Sequence, residues 1–115
     1  MIPLIYKILP DSLWKAALSS GCFAGAAIDL ADGFIHFSTA SQVEETARRH
    51  FDGQAGLVLV AIESERLFAA LKWEPSRGGD LFPHLYSPLD PALMRWVKPL
   101  PWDGKAHVFP EGWRL

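Results

Sequence analysis

Apolar positions along the chain either run on in short β-branched stretches or return every three to four residues, and each pattern predicts an element. Ile2 to Leu9 is branched and apolar, with Tyr6 and Lys7 inside it, and predicts a first strand. Pro10-Asp11 starts a helix, with Asp11 read as N-cap because its carboxylate can accept from the free amides of the first turn. Leu13, Trp14, Ala17 and Leu18 share one helical face, and Ser20-Gly21 stops it. Cys22 to Ala31 is small and apolar with weak periodicity, which reads as loop with a short strand. Asp32-Gly33 is a turn signal, and Phe34 to Ser38 alternates as a strand.

Thr39-x-x-Gln42 and Ser41-x-x-Glu44 both have capping-box spacing, so a helix is predicted from about residue 40. Within it Glu44 and Arg48, like Glu45 and Arg49, have acid-before-base i,i+4 order. Asp52-Gly53 ends it. Leu57 to Ile62 is a nearly continuous β-branched and leucine run, the signature of a central strand buried on both faces. Ser64 is read as the cap of a short helix over Glu65–Ala70, and Leu71 to Trp73 as strand. Glu74 to Asp80 is the longest loop-like stretch. Phe82 to Tyr86 resumes apolar character. Asp90-Pro91 opens a short helix, and Met94 to Leu100 is a strand with Ala106 to Phe109 as its partner. The pattern predicts an α+β class with strands concentrated in the second half.

Composition narrows the class. The 115 residues suit one domain spanning 1–115, with 50% hydrophobic and 21% charged residues, which argues against disorder. One cysteine, Cys22, gives no hint of a secreted disulfide scaffold. The apolar N-terminus is short and broken by Lys7, and fits neither a signal peptide nor a membrane span. A net charge of −2 and no basic run argue against DNA as a partner and disfavour RNA. These features predict a cytoplasmic protein without membrane association.

Three segments carry candidate chemistry. In Ile35-His36-Phe37-Ser38-Thr39, alternation places His36 and Ser38 on one face of the strand. Beside a helix start they would make a polyol or ribose hook, because imidazole and hydroxyl both donate and accept. The alternative is a buried His36 bonded to backbone, with Ser38 or Thr39 capping the helix. In Phe82-Pro83-His84-Leu85-Tyr86, His84 and Tyr86 share a face and offer a titratable donor and an aromatic surface for stacking; the alternative is a core aromatic cluster. Trp73-Glu74 enters the glycine-bearing loop with Arg77 and Asp80. A carboxylate there could stabilise an oxocarbenium-like transition state or act as general base, or be a solvated loop acid. The four histidines show no close metal-ligand spacing, so no metal is assigned. Cys22, among small apolar residues, reads as inert packing.

The run Asp32-Gly33-Phe34-Ile35-His36-Phe37-Ser38-Thr39-Ala40-x-Gln42, with Leu57–Ile62, Trp73-Glu74 and Phe82-Pro83-His84-Leu85-Tyr86, resembles the bacterial domain of unknown function 952 family over roughly residues 4–97. Through that family the chain resembles the ADP-ribosyltransferase superfamily, which includes the poly-ADP-ribose polymerases, bacterial toxins and RNA 2′-phosphotransferases. The resemblance implies a split mixed or antiparallel sheet whose central cleft binds NAD or a related ADP-ribosyl compound. It implies that His36 and Ser38 grip a ribose and that Tyr86 stacks the nicotinamide. A late catalytic Glu completes the pattern, but Glu74 precedes Tyr86 and the only Glu after it is Glu111. The expected function is thus binding of NAD or an ADP-ribosyl nucleotide with cleavage or transfer of ADP-ribose. Glu74 and His84 are the candidate catalytic residues, and His36, Ser38, Thr39, Tyr86 and Arg77 the binding ones. The alternatives are a non-catalytic nucleotide- or metabolite-binding module, and a phosphotransferase or hydrolase that uses His36 and His84.

Overall fold

The computed structural model describes residues 3–114, apart from the side chain of Arg77, and the apolar run Leu57–Ile62 lies at its centre. This strand, β4 (Leu57–Glu63), pairs antiparallel with β1 (Leu4–Pro10) on one side and β7 (Trp96–Leu100) on the other. Strand β3 (Ser38–Thr39) completes a four-stranded sheet in the order β3-β1-β4-β7. Alternation along β4 explains why it holds no polar residue before Glu63. Val58, Val60 and Ile62 pack with Ile5, Trp14 and Leu85 on one face. Leu57, Leu59 and Ala61 pack with Tyr6, Val43 and Trp113 on the other. Burying each such branched side chain is worth roughly 1.5–3 kcal/mol, so both faces demand apolar residues.

A second antiparallel sheet has the order β2-β6-β5, built from β2 (Ile35–His36), β5 (Leu71–Pro75) and β6 (Leu81–Leu85). Its Ile35 and Leu85 share a core with β1 and β4. The radius of gyration of 13.3 Å matches that of one folded body of this length, about 13 Å. The structure is thus α+β with antiparallel sheets. Among the described residues no helix is long and apolar enough to cross a membrane.

The split between the sheets falls at Phe37. The sequence predicted one strand from Phe34 to Ser38, but the chain leaves the second sheet after His36 and joins the first at Ser38. Phe37 is buried, and its N–H donates to the Pro83 carbonyl at 3.0 Å, which holds the bend. Strand β3 covers the edge of β1 only at Ile5 and Tyr6. Beyond Tyr6, the Lys7–Ile8 edge is left facing the gap between the sheets.

Helix α1 (Asp11–Ser20) and helix α3 (Val43–His50) follow the predicted spacing, but their caps differ. Asp11 is the first helical residue and not the cap: Pro10 holds the cap position, and the Asp11 carboxylate pairs with Lys15 instead. Gln42 precedes α3 and reaches back, its Oε1 accepting from the Thr39 N–H at 3.0 Å, while its Nε2 donates to the Leu81 carbonyl. Of the two predicted ion pairs, Glu45–Arg49 forms. Glu45 also takes Arg48, while Glu44 binds Arg114 from the C-terminal turn.

Five further expectations are corrected. Within Cys22–Ala31 the chain forms a helix, α2 (Ala27–Asp32), where weak periodicity gave no sign of one. Segment 64–70 is a 3-10 helix with Glu63 before it and no side-chain cap from Ser64. The loop after Glu74 is shorter than predicted: strand β5 runs to Pro75, and a tight turn with Ser76 N–H to Asp80 carbonyl closes a β5–β6 hairpin. Ala106–Phe109 makes no strand with Met94–Leu100, whose partner is β4; it contributes only a bridge between His107 and Trp102. Cys22 is exposed and not packed.

Candidate functional site

A cavity of about 480 Å³ opens at the split, within the range of small-molecule sites. Its walls are largely apolar, with Tyr6 and Ile8 from β1, Val43 and Phe51 from the α3 region, and Phe37 and Phe82. Polar groups enter it from Lys7, Asp32, His36, Ser38 and His84. Three of the sequence candidates, His36, Ser38 and His84, therefore line one cavity although they come from three strands.

His36 is held on both sides. Its Nδ1 lies 2.7 Å from Asp29 Oδ1 and its Nε2 2.9 Å from Asp32 Oδ2, so each ring nitrogen faces a carboxylate oxygen. Asp29 is 2% exposed and also accepts from the His36 N–H at 3.0 Å and the Ala26 N–H at 2.8 Å. Lys7, 6% exposed, places its Nζ 3.0 Å from Asp29 Oδ2 and 2.9 Å from the His36 carbonyl, bridging the two sheets across the split. Burial works against the Asp29 carboxylate, but the His36 ring, the Lys7 ammonium and the two backbone N–H donors outweigh it and hold its pKa near about 2. Burial pushes the Lys7 ammonium below its ordinary value, against the pull of Asp29.

The backbone makes this packing available at two glycines. Gly33 has φ +87° and caps α2, its N–H bonding to the Asp29 carbonyl, which turns the chain into β2. Gly25 has φ +125°, and a Cβ there would stand 2.8 Å from the Asp29 Cβ. The buried carboxylate needs a glycine beside it.

His84 faces His36 across the β2–β6 pair, with ring centroids 5.6 Å apart. Its Nδ1 is 2.8 Å from Glu74 Oε1. A carboxylate only accepts, so Nδ1 is the donor and Nε2 is the nitrogen left to serve the cavity. Phe34 stacks on His84 at 4.0 Å and touches His36 at 4.5 Å, fixing both ring planes. Glu74 also accepts from the Tyr86 hydroxyl at 2.7 Å. The Tyr86 and His84 hydrogen bonds lower the Glu74 pKa, and the same bond raises that of the Tyr86 phenol.

The remaining candidates sit elsewhere. Tyr86 is exposed and lines a shallower hollow of about 250 Å³ with Phe34 and Leu30, outside the main cavity. Glu74 is outside the main cavity lining too, and reaches it only through His84. Glu111 lies exposed in the C-terminal turn. Thr39 bonds to Ser41 and not to the cavity groups. Ser38 is buried and its Oγ is 2.9 Å from Thr46 Oγ1. The Arg77 side chain lies outside the described residues. No group of three or more His, Cys, Asp or Glu is placed to hold a metal ion among the described residues.

Sequence reasoning passed over Lys7, Asp29, Asp32 and Phe34. One signal was present: a lysine amid a buried apolar strand needs an anion to pair with.

The family model for a protein of unknown function (DUF952) matches residues 8–97. The crystal structure of protein CC0527 from Caulobacter crescentus is similar at 52% identity and TM-score 0.87, over 90% of this chain and 91% of that one. The solution NMR structure of CC0527 gives 52% identity and TM-score 0.81 over 90% of each chain. No curated protein matches the chain. With the family model spanning most of its length and the site-bearing strands β2 and β6 inside the match, the chain belongs to the DUF952 family.

Proposed function

We propose that the chain is an ADP-ribosyltransferase-like protein that binds NAD or another ADP-ribosyl nucleotide in the cavity between the sheets and cleaves or transfers the ADP-ribosyl group. The observation that carries this reading is the convergence of His36, Ser38 and His84 on one apolar-walled cavity at a split between two antiparallel sheets. Apolar walls suit a planar base or nicotinamide ring, and the polar edge suits a ribose. The reading sets the protein in the cytoplasm, where such nucleotides are at hand.

Placement of Glu74 changes the expected chemistry. It does not reach the cavity directly, so it backs His84. In the proposed step, an acceptor hydroxyl or water attacks the ribose C1′ and its proton passes to His84 Nε2. The glycosidic bond breaks with its electron pair leaving on nicotinamide. Glu74 stabilises the imidazolium through Nδ1. A second reading, a binding module without turnover, is favoured by one observation: Asp32 is the only carboxylate residue among the described lining residues.

A thermal-shift titration against NAD, ADP-ribose, nicotinamide, AMP and a 2′-phosphorylated nucleotide tests the reading. A ligand at about 100 times its dissociation constant stabilises by about 2.7 kcal/mol, a shift on the order of 10 °C at this size. NAD or ADP-ribose should shift the wild type, and the shift should vanish in folded His36→Ala and His84→Ala proteins. No shift with any of them, or unchanged shifts in both variants, overturns it. Nicotinamide release by the wild type separates the transferase from the module.

A further inference from the structure

We infer that Asp32 is a specificity residue that makes the His36 end of the cavity select a ribose with free hydroxyls over a phosphorylated one. The inference rests on the nucleotide-binding reading above and names which nucleotide fits. It starts from the charges. Lys7 is the one Lys or Arg among the described lining residues, and it is already neutralised by the buried Asp29 at 3.0 Å. His36 stands between Asp29 and Asp32, and its Nε2 already has a carboxylate at 2.9 Å. Among the described residues, this end of the cavity therefore holds no uncompensated lysine or arginine to receive a phosphate. An incoming dianion would meet the Asp32 carboxylate.

A hydroxyl meets the opposite situation. It can accept from His36 Nε2 and donate its own hydrogen to Asp32, so an uncharged diol satisfies both groups at once. Asp32 ends α2, its side chain is 43% exposed, and its Oδ1 has no protein partner among the described residues. The carboxylate is thus free to pivot toward a ligand while Gly33 holds the backbone of the turn. Asp29, by contrast, is locked by donors on both oxygens and positions the ring.

The test is calorimetric titration of the wild type and Asp32→Asn with ADP-ribose and with ADP-ribose 2′-phosphate. Asp32 is at the surface and supports no core contact, so the variant retains the fold, which its melting curve checks. The wild type should prefer ADP-ribose by at least about tenfold, and Asp32→Asn should narrow the preference to about threefold or less by losing the repulsion. Equal affinity of the wild type for the two ligands, or the same ratio in both proteins, overturns the assignment of Asp32 while leaving nucleotide binding intact. Failure of the wild type to bind either ligand removes the nucleotide reading itself, and this inference with it.

Discussion

Asp29→Ala is the substitution from which the structure predicts the largest loss of stability. It deletes the anion of a pair in which Lys7 is 6% and Asp29 2% exposed, with Nζ and Oδ2 3.0 Å apart. Removing one partner of a buried pair typically costs 3–5 kcal/mol, because the survivor keeps its desolvation penalty without its counter-charge. Here the Ala26 N–H, the His36 N–H and His36 Nδ1 lose their acceptor as well, so a value of about 4–5 kcal/mol is expected. A chain of this length is stable by roughly 6–17 kcal/mol, so the variant should fold but lose about 2–3 M in its urea midpoint. Urea unfolding followed by tryptophan fluorescence reads this directly. Lys7→Met should cost only about 1–2 kcal/mol, since Asp29 retains three donors from His36 and Ala26. The double variant should then fall short of the sum by about 1–3 kcal/mol. Burial already depresses the Lys7 ammonium. Without Asp29 the folded state sheds that proton more readily while the unfolded chain keeps it, so the loss should shrink toward about pH 9. A loss under about 1 kcal/mol for Asp29→Ala, or strict additivity in the cycle, would refute the reasoning.

Three further outcomes follow from the same geometry. The Asp29 pKa lies near about 2 against an ordinary 3.8, so its contribution, about 2 kcal/mol, is present above pH 4 and lost as pH falls toward 2. The wild type should therefore lose more stability than Asp29→Asn over that window in acid urea titrations, and parallel curves would contradict this. Glu74→Gln removes the carboxylate that raises the Tyr86 phenol, so a spectrophotometric titration should show one tyrosine moving back toward 10.0; an unchanged titration would place Tyr86 elsewhere. Phe68 holds φ 51° and ψ −140° with its ring 83% exposed, a strained backbone without packing in return. Phe68→Gly should stabilise by about 1 kcal/mol in urea, and destabilisation would mean that the ring contributes more than its exposure implies.

The parts of the fold set by local pattern were legible. Leu57–Ile62 reads as a strand buried on both faces because no other environment suits six apolar residues with this β-branched content. The Leu13, Trp14, Ala17, Leu18 face likewise gives α1, in which Trp14 and Ala17 are buried while Leu13 and Leu18 stay exposed. The break at Phe37 was not legible. Period-two alternation continues through it, and the bend is fixed by a carbonyl at Pro83, 46 positions away in sequence order and outside any local signal. Helix α2 escaped for a similar reason: small apolar residues carry no stripe, and its first turn is satisfied by the buried Asp29, whose counter-ion Lys7 comes from strand β1, 22 positions earlier. His36, Ser38 and His84 were identifiable by type and placement in their strands. That Glu74 serves His84 while Tyr86 turns outward depended on the hairpin register, in which Glu74 stands opposite Phe82 and Lys72 opposite His84.

The central claim is that the cavity between the sheets is the nucleotide site. The most direct measurement is an NMR titration of isotope-labelled protein with ADP-ribose, following the backbone amides. The account predicts saturable shifts concentrated at His36, Ser38, Thr46, Phe82 and His84, with Trp102 and Lys105, which do not line the cavity, unchanged, and loss of the pattern in His84→Ala. Shifts absent at saturating ligand, or clustered away from His36 and His84, would contradict it.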